Sequence, residues 1–299
     1  MPAREPIMMA ACAPRSIRIG GPSTYPATKR MLAGRLREPK QIALHVKRFC
    51  AHHVGMLRRA GAAGADVAVI PEDSLRLVPM VAAQWRTVRC RDAVRDAYDH
   101  YLAEVGAVCR EYDMFVVGGV ITTRRRRYYN TAVMLDPARR PTASYAKTHL
   151  PAHEPLCLTP GRELPVFDTP LGRVGMLICW DIVFPEPFSV LALKGAQIIF
   201  EPTFGHWRES DDMTARSRVF DWRVPLVVSM WGGCAGIIGA DGEYLARTGR
   251  VGDSMAVAPV DLHAKQAWTK FTDTRIQKPR DRRPDLYGEL VKRSRRRRR

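Results

Sequence analysis

The chain has 299 residues, 46% of them apolar and 26% charged, with 22 glycines and 22 prolines. That globular composition excludes a wholly disordered, collagen-like or disulfide-scaffold protein. The formal charge of +18 (48 Lys+Arg against 30 Asp+Glu) points, taken alone, to nucleic acid or an anionic membrane as partner.

Its distribution along the chain argues otherwise. Lys292 to Arg299 carry seven positive charges and no acid, and Arg124 to Arg127 form a second block of four. A like-charged run at a terminus is a solvated tail. The apolar run Ile7 to Cys12 is too short for a secretory signal or a membrane span, so residues 1–15 read as a flexible N-terminus, with Met8 and Met9 as alternative starts. The seven cysteines (Cys12, Cys50, Cys90, Cys109, Cys157, Cys179 and Cys234) lack metal-type spacing and predict reduced thiols in a cytoplasmic protein.

In chain order, Ile42, Val46, Phe49, Cys50, Val54 and Leu57 recur at helical spacing and Asp66 to Pro71 read as a buried strand. A second helix follows through Val94, Tyr98, Tyr101, Val105 and Cys109, then strands at Met114 to Ile121 and Asn130 to Leu135, which place the arginine block at a hairpin tip. Further strands are expected at Val174–Cys179, Ala196–Phe200, Val224–Met230, Gly236–Ile238 and Met255–Val260, with helices near Pro185–Lys194 and Asp212–Trp222. Asp241-Gly242 marks a hairpin turn. One α/β domain over residues 16–271, followed by an Arg-rich and partly disordered extension over 272–299, accounts for this order.

Three segments place a reactive residue at the end of an apolar strand, where sites gather in open α/β sheets: Val69-Ile-Pro-Glu72, Tyr145-Ala-Lys147-Thr-His, and Gly175-Met-Leu-Ile-Cys179-Trp-Asp. With Tyr129-Asn-Thr-Ala, Thr159-Pro-Gly161, Phe184-Pro-Glu186 and Ile238-Gly-Ala-Asp-Gly242 in the same order, the chain from about Ile42 to Leu262 resembles the nitrilase, or carbon–nitrogen hydrolase, superfamily. The resemblance implies a four-layer αββα sandwich, a Glu–Lys–Cys triad and no metal or cofactor. Glu72 would be the general base, Cys179 the nucleophile, and Lys147, with the N–H of Trp180, the oxyanion stabiliser. Glu154, the only acid between Lys147 and Gly161, takes the place of a second glutamate that positions the lysine. His149, His153, Asp181 and Glu186 read as structural.

Branches of the family that hold a substrate carboxylate commonly place arginine three or four residues after the cysteine. Here those positions are Ile182 and Val183, and Trp180, Phe204, Trp207 and Trp231 are candidates for an aromatic wall. The expectation is therefore a thiol amidohydrolase for a neutral amide of an apolar or aromatic acid. A nitrilase or an acyl transferase using the same triad, and a nucleic-acid-binding protein using the tail, are the alternatives. A homodimer or larger homo-oligomer is expected from the resemblance, and no membrane partner.

Overall fold

Short, nearly continuous apolar strands, buried on both faces, build two sheets whose inner faces meet. In the computed structural model, residues 6–15, 38–138, 140–151, 154–205, 208–250, 252–263, 267–269 and 272–292 are described. The first sheet comprises β1 (Ile7–Ala13), β2 (Val67–Val69), β3 (Phe115–Arg124), β4 (Arg127–Leu135), β5 (Pro141–Ala146) and β12 (Ser254–Val260), in the order β12-β1-β2-β3-β4-β5. The second comprises β6 (Val166–Thr169), β7 (Gly172–Met176), β8 (Ile198–Thr203), β9 (Leu226–Met230), β10 (Gly236–Ile238) and β11 (Tyr244–Arg247), in the order β11-β10-β9-β8-β7-β6.

Period two decides which core each residue joins. Met9, Ala11, Val67, Val69, Val117, Val174, Met176, Ile198 and Phe200 pack between the sheets. Their neighbours turn outward: Ala10, Ala68 and Val116 meet the helices α1 (Pro39–Ala62) and α3 (Val88–Tyr112). Leu177, Ile199 and Val228 meet α4 (Pro185–Leu193) and α5 (Glu209–Trp222) on the other side. The result is an αββα sandwich, the architecture the resemblance implied. A short α2 (Val78–Gln84) follows the loop after β2.

The N-terminus differs from expectation. Residues 7–13, read as part of a flexible segment, form β1, paired antiparallel with β12 and parallel with β2. The run is apolar on both faces because both are covered, by the second sheet and by α1. The arginine block does form a hairpin tip: Arg124 pairs with Arg127, and Arg125 and Arg126 take positive φ (48° and 66°), as a tight turn requires. In the C-terminal extension, β13 (Ala267–Thr269) pairs with β14 (Thr272–Asp273). It is followed by α6 (Thr274–Asp281), whose Lys278 ammonium lies 5.1 Å from the Trp222 ring of α5. Residues 293–299 lie outside the described residues. Among those described, no helix is long and apolar enough to cross a membrane.

Candidate active site

Three loops meet beyond strand ends, one each after β2, β5 and β7. The first is clamped at its backbone. Trp231 Nε1 donates to the Glu72 carbonyl (2.8 Å), the Ser74 N–H donates to the Gly119 carbonyl (2.7 Å), and Asp73 accepts the N–H groups of Leu77 (2.7 Å) and Val78 (3.1 Å) to start α2. β3 passes so close that a Cβ on Gly119 would sit 2.5 Å from the Glu72 Cα, a separation only glycine allows.

Lys147 is the first residue beyond β5. Its N–H donates to the Asn130 carbonyl and its own carbonyl accepts from the Gly161 N–H (2.8 Å each). Its Nζ donates to Glu72 Oε1 (2.7 Å) and to Glu154 Oε1 and Oε2 (3.2 and 3.1 Å), with the lysine side chain fully buried. Asn130 Nδ2 adds a bond to Glu72 Oε1 (2.6 Å). Burial disfavours the ammonium, but the charges of Glu72, Cys179 and Glu154 outweigh it and hold Lys147 above the ordinary lysine range. Glu154 responds the opposite way. Burial and then the Glu72 carboxylate push its carboxyl up to about 7, against the pull of Lys147.

Cys179 opens a single 3₁₀ turn (Cys179–Val183) with φ +47°, a left-handed conformation unusual for a side-chain-bearing residue and characteristic of strained functional turns. Its Sγ donates to the Phe204 carbonyl (3.1 Å). The residue is partly exposed, yet its sulfur is enclosed enough that burial, reinforced by Glu72, raises the thiol well above its ordinary range, with Lys147 pulling it down. The resting group is therefore a thiol.

Asp181, completely buried, ties the turn to the lysine loop. It accepts from the Ile178 N–H (3.0 Å), Tyr145 OH (2.8 Å), Thr148 Oγ1 (3.1 Å) and the His149 N–H (2.9 Å). His149 Nδ1 lies 2.9 Å from the same carboxylate and its ring stacks on Phe184 at 4.4 Å, in keeping with the structural part expected of both residues.

The structure thus brings Glu72, Lys147 and Glu154 into direct contact and places Cys179 within their field. Of the aromatic candidates, Trp180 follows Cys179 and is 41% exposed, and Phe204 touches the thiol through its carbonyl. Trp231 is buried behind Glu72, edge-on to His53 and Phe49, where it serves as a prop. Trp207 and His153 lie outside the described residues. Two residues were missed as site members. Asn130 stood in the Tyr129-Asn-Thr-Ala segment, where its amide gave no hint of a carboxylate partner. Arg76, whose guanidinium lies 4.2 Å from the Phe204 ring centroid, is one arginine among many in the sequence.

Comparison with known proteins shows the family and the fold. The family model described as carbon-nitrogen hydrolase matches residues 36–270. The N-carbamoylputrescine amidase of Arabidopsis thaliana is 27% identical over 229 residues, covering 64% of this chain and 73% of that protein. The omega-amidase NIT2 of Bos taurus is 27% identical over 270 residues, covering 80% and 91%. In eight such relatives the matched stretch spans from 63% to 95% of their length. Among solved structures, a carbon-nitrogen hydrolase from Helicobacter pylori superposes with a TM-score of 0.72 at 20% identity, covering 97% of this chain and 98% of that one.

Proposed function

The chain belongs to the carbon-nitrogen hydrolase family, and on that premise we propose that it is a thiol amidohydrolase acting through Cys179, Glu72 and Lys147. The observation that carries the reading is the buried Glu72–Lys147–Glu154 ion cluster, set at strand ends beside a thiol held in a strained turn.

Because Cys179 rests as a thiol, attack on the amide carbon needs a base. Glu72 takes the Sγ proton as the S–C bond forms, and the carbonyl oxygen becomes an oxyanion. Lys147 Nζ and the N–H of Trp180 stabilise that charge, and one such donor is worth about 3 kcal/mol in the transition state. Glu72 then gives its proton to the leaving nitrogen, the C–N bond breaks, and ammonia or an amine departs from a Cys179 thioester. Water, deprotonated by Glu72, attacks the thioester. Collapse expels the sulfur, which recovers its proton, and the acid leaves. Glu154 and Asn130 position Lys147 and Glu72 through the contacts described.

A panel of amides, N-carbamoyl compounds and nitriles, assayed for ammonia and for acyl adducts by intact mass, tests this. The expected result is ammonia from amides with an acyl mass on the protein, both reduced to background in Cys179→Ala. Turnover that survives this substitution overturns the mechanism, and ammonia from nitriles alone converts the reading to a nitrilase.

A further inference from the structure

The arginines of the β3–β4 tip take no part in the hydrolysis just described, and two of them, Arg124 and Arg127, line a cavity of about 430 Å³. Period two sorts the side chains at this end of the sheet. Arg124 stands directly opposite Arg127, on the same face as the next alternate pair, Thr122 and Tyr129. Thr131 follows on that face, its Oγ1 2.7 Å from Thr122 Oγ1. Arg125 and Arg126, in the turn itself, are not part of the cavity wall. The facing wall is the segment 159–165, which brings Arg162 and Glu163. It is fixed to the sheet by its backbone. The Thr159 N–H donates to the Tyr128 carbonyl (2.7 Å) and the Gly161 N–H to the Lys147 carbonyl (2.8 Å). A Cβ on Gly161 would stand 2.1 Å from the Ala146 carbonyl oxygen.

The cavity and the buried ion cluster use opposite faces of β4. Tyr129 and Thr131 flank Asn130, whose Nδ2 holds Glu72 (2.6 Å). None of Glu72, Lys147, Glu154 and Cys179 lines the cavity, so its occupant is not the amide.

Its charge is not neutralised by the protein. Among the described residues no carboxylate lies within ion-pair distance of Arg124, Arg127 or Arg162, although Glu163 stands in the same wall. Arginines elsewhere on the surface do have such partners: Arg58 with Glu111 (3.1 Å), Arg95 with Asp92 (2.8 Å) and Arg173 with Asp168 (3.2 Å). Like charges directly opposite in a ladder repel, and an anion between Arg124 and Arg127 removes that repulsion. Three cations against one carboxylate call for a dianion. A phosphoryl group carries about two negative charges at neutral pH and three strong acceptor oxygens. Guanidinium forks arriving from both walls suit those oxygens, as do the hydroxyls of Tyr129 and Ser144, which have no protein partner among the described residues. The Tyr129 ring, Pro160 and Pro165 leave apolar wall for a carbon skeleton beyond the phosphorus.

We propose that this cavity is a binding site for a phosphoryl group, carried on a small ester or taken up as free phosphate. The assignment stands apart from the amidase reading, because no step of the hydrolysis uses these residues.

The test compares two double variants that lose the same charge. AMP, ribose 5-phosphate and inorganic phosphate are titrated calorimetrically into the full-length protein, into Arg127→Gln/Arg162→Gln, and into Arg125→Gln/Arg126→Gln. All four side chains are exposed, and equal thermal midpoints verify that each variant is folded. Saturable binding to wild type is expected. It should weaken about 100-fold in the cavity variant, at about tenfold for each hydrogen bond to a charged group, and stay within about twofold in the tip variant. Tighter binding of an ester upholds the site and makes the ester its occupant, while equal affinity for inorganic phosphate upholds it for the free ion. Equal weakening in the two variants would reveal only a diffuse field around the arginines and overturn the site, as would the absence of saturable binding to wild type. Succinate, a dianion of planar carboxylates, should bind more weakly than every phosphate compound that binds; succinate bound as tightly would overturn the phosphoryl assignment.

Discussion

At the scale of single residues, the site's electrostatics turn on two carboxyls sharing one ammonium. Lys147 holds Glu72 at 2.7 Å and Glu154 at 3.1 Å, and all three side chains are buried. Two carboxylates this close in low dielectric repel, and the pair lowers its energy by keeping a proton. That proton falls to Glu154, raised to about 7 from an ordinary 4.5, chiefly by burial and then by Glu72. The consequence for stability has a definite sign. Between about 4.5 and about 7 the unfolded chain releases this proton while the folded chain retains it, so the contribution of Glu154 is complete below 4.5 and is lost as pH rises through 7. Glu154→Gln cannot ionise, so its thermal midpoint, measured from pH 4.5 to 7.5, should fall less with rising pH than that of wild type. Parallel curves would show that Glu154 is ionised throughout.

At the scale of elements, the site depends on two loops from different sheets being tied by one side chain. Asp181, in the turn after β7, accepts from Tyr145, Thr148 and His149 around the end of β5 as well as from Ile178 in its own strand extension. Asp181→Ala leaves several buried donors without an acceptor, each worth about 1–3 kcal/mol, so a loss of at least about 3 kcal/mol is expected. It should appear as a lower denaturant midpoint with an unchanged slope, accompanied by a fall in kcat because Lys147 loses its neighbours' anchor. A midpoint unchanged from wild type would remove Asp181 from this role. The sequence already placed Glu72, Lys147 and Cys179 at strand ends, because a reactive residue closing an apolar run is a local pattern. It also read Asp181 as structural. Asn130 and Arg76 were not legible as partners, since what matters about each is a contact across 58 residues to Glu72 or onto a ring from another sheet. β1 was misread for a related reason. Its six-residue apolar core is too short to classify by itself, and only pairing with β12, more than 240 residues later, makes it a central strand.

At the scale of the whole molecule, the excess charge and the chemistry occupy different places. The four arginines of the β3–β4 hairpin tip are exposed, whereas Glu72 and Lys147 are buried and Cys179 only partly exposed at the strand ends. β1 binds the two sheets together, with the Cys12 carbonyl accepting from Ser229 Oγ (2.6 Å) and the Pro14 carbonyl from the Gly232 N–H (2.7 Å). β1 thereby ties the first sheet to the end of β9 in the second. Removal of residues 292–299 should leave kcat/KM on an amide substrate unchanged, because the side chains that build the candidate site lie between Glu72 and Trp231. Nonspecific binding to duplex DNA should respond differently. Seven cations that each displace a counterion give a slope of up to about −6 in log affinity against log salt, and that slope should flatten on truncation. Retention of a steep slope by the truncated protein would locate the anion-binding charge on the folded domain, with the hairpin tip the first place to replace arginine by glutamine. A fall in amide hydrolysis on truncation would instead couple the tail to the site.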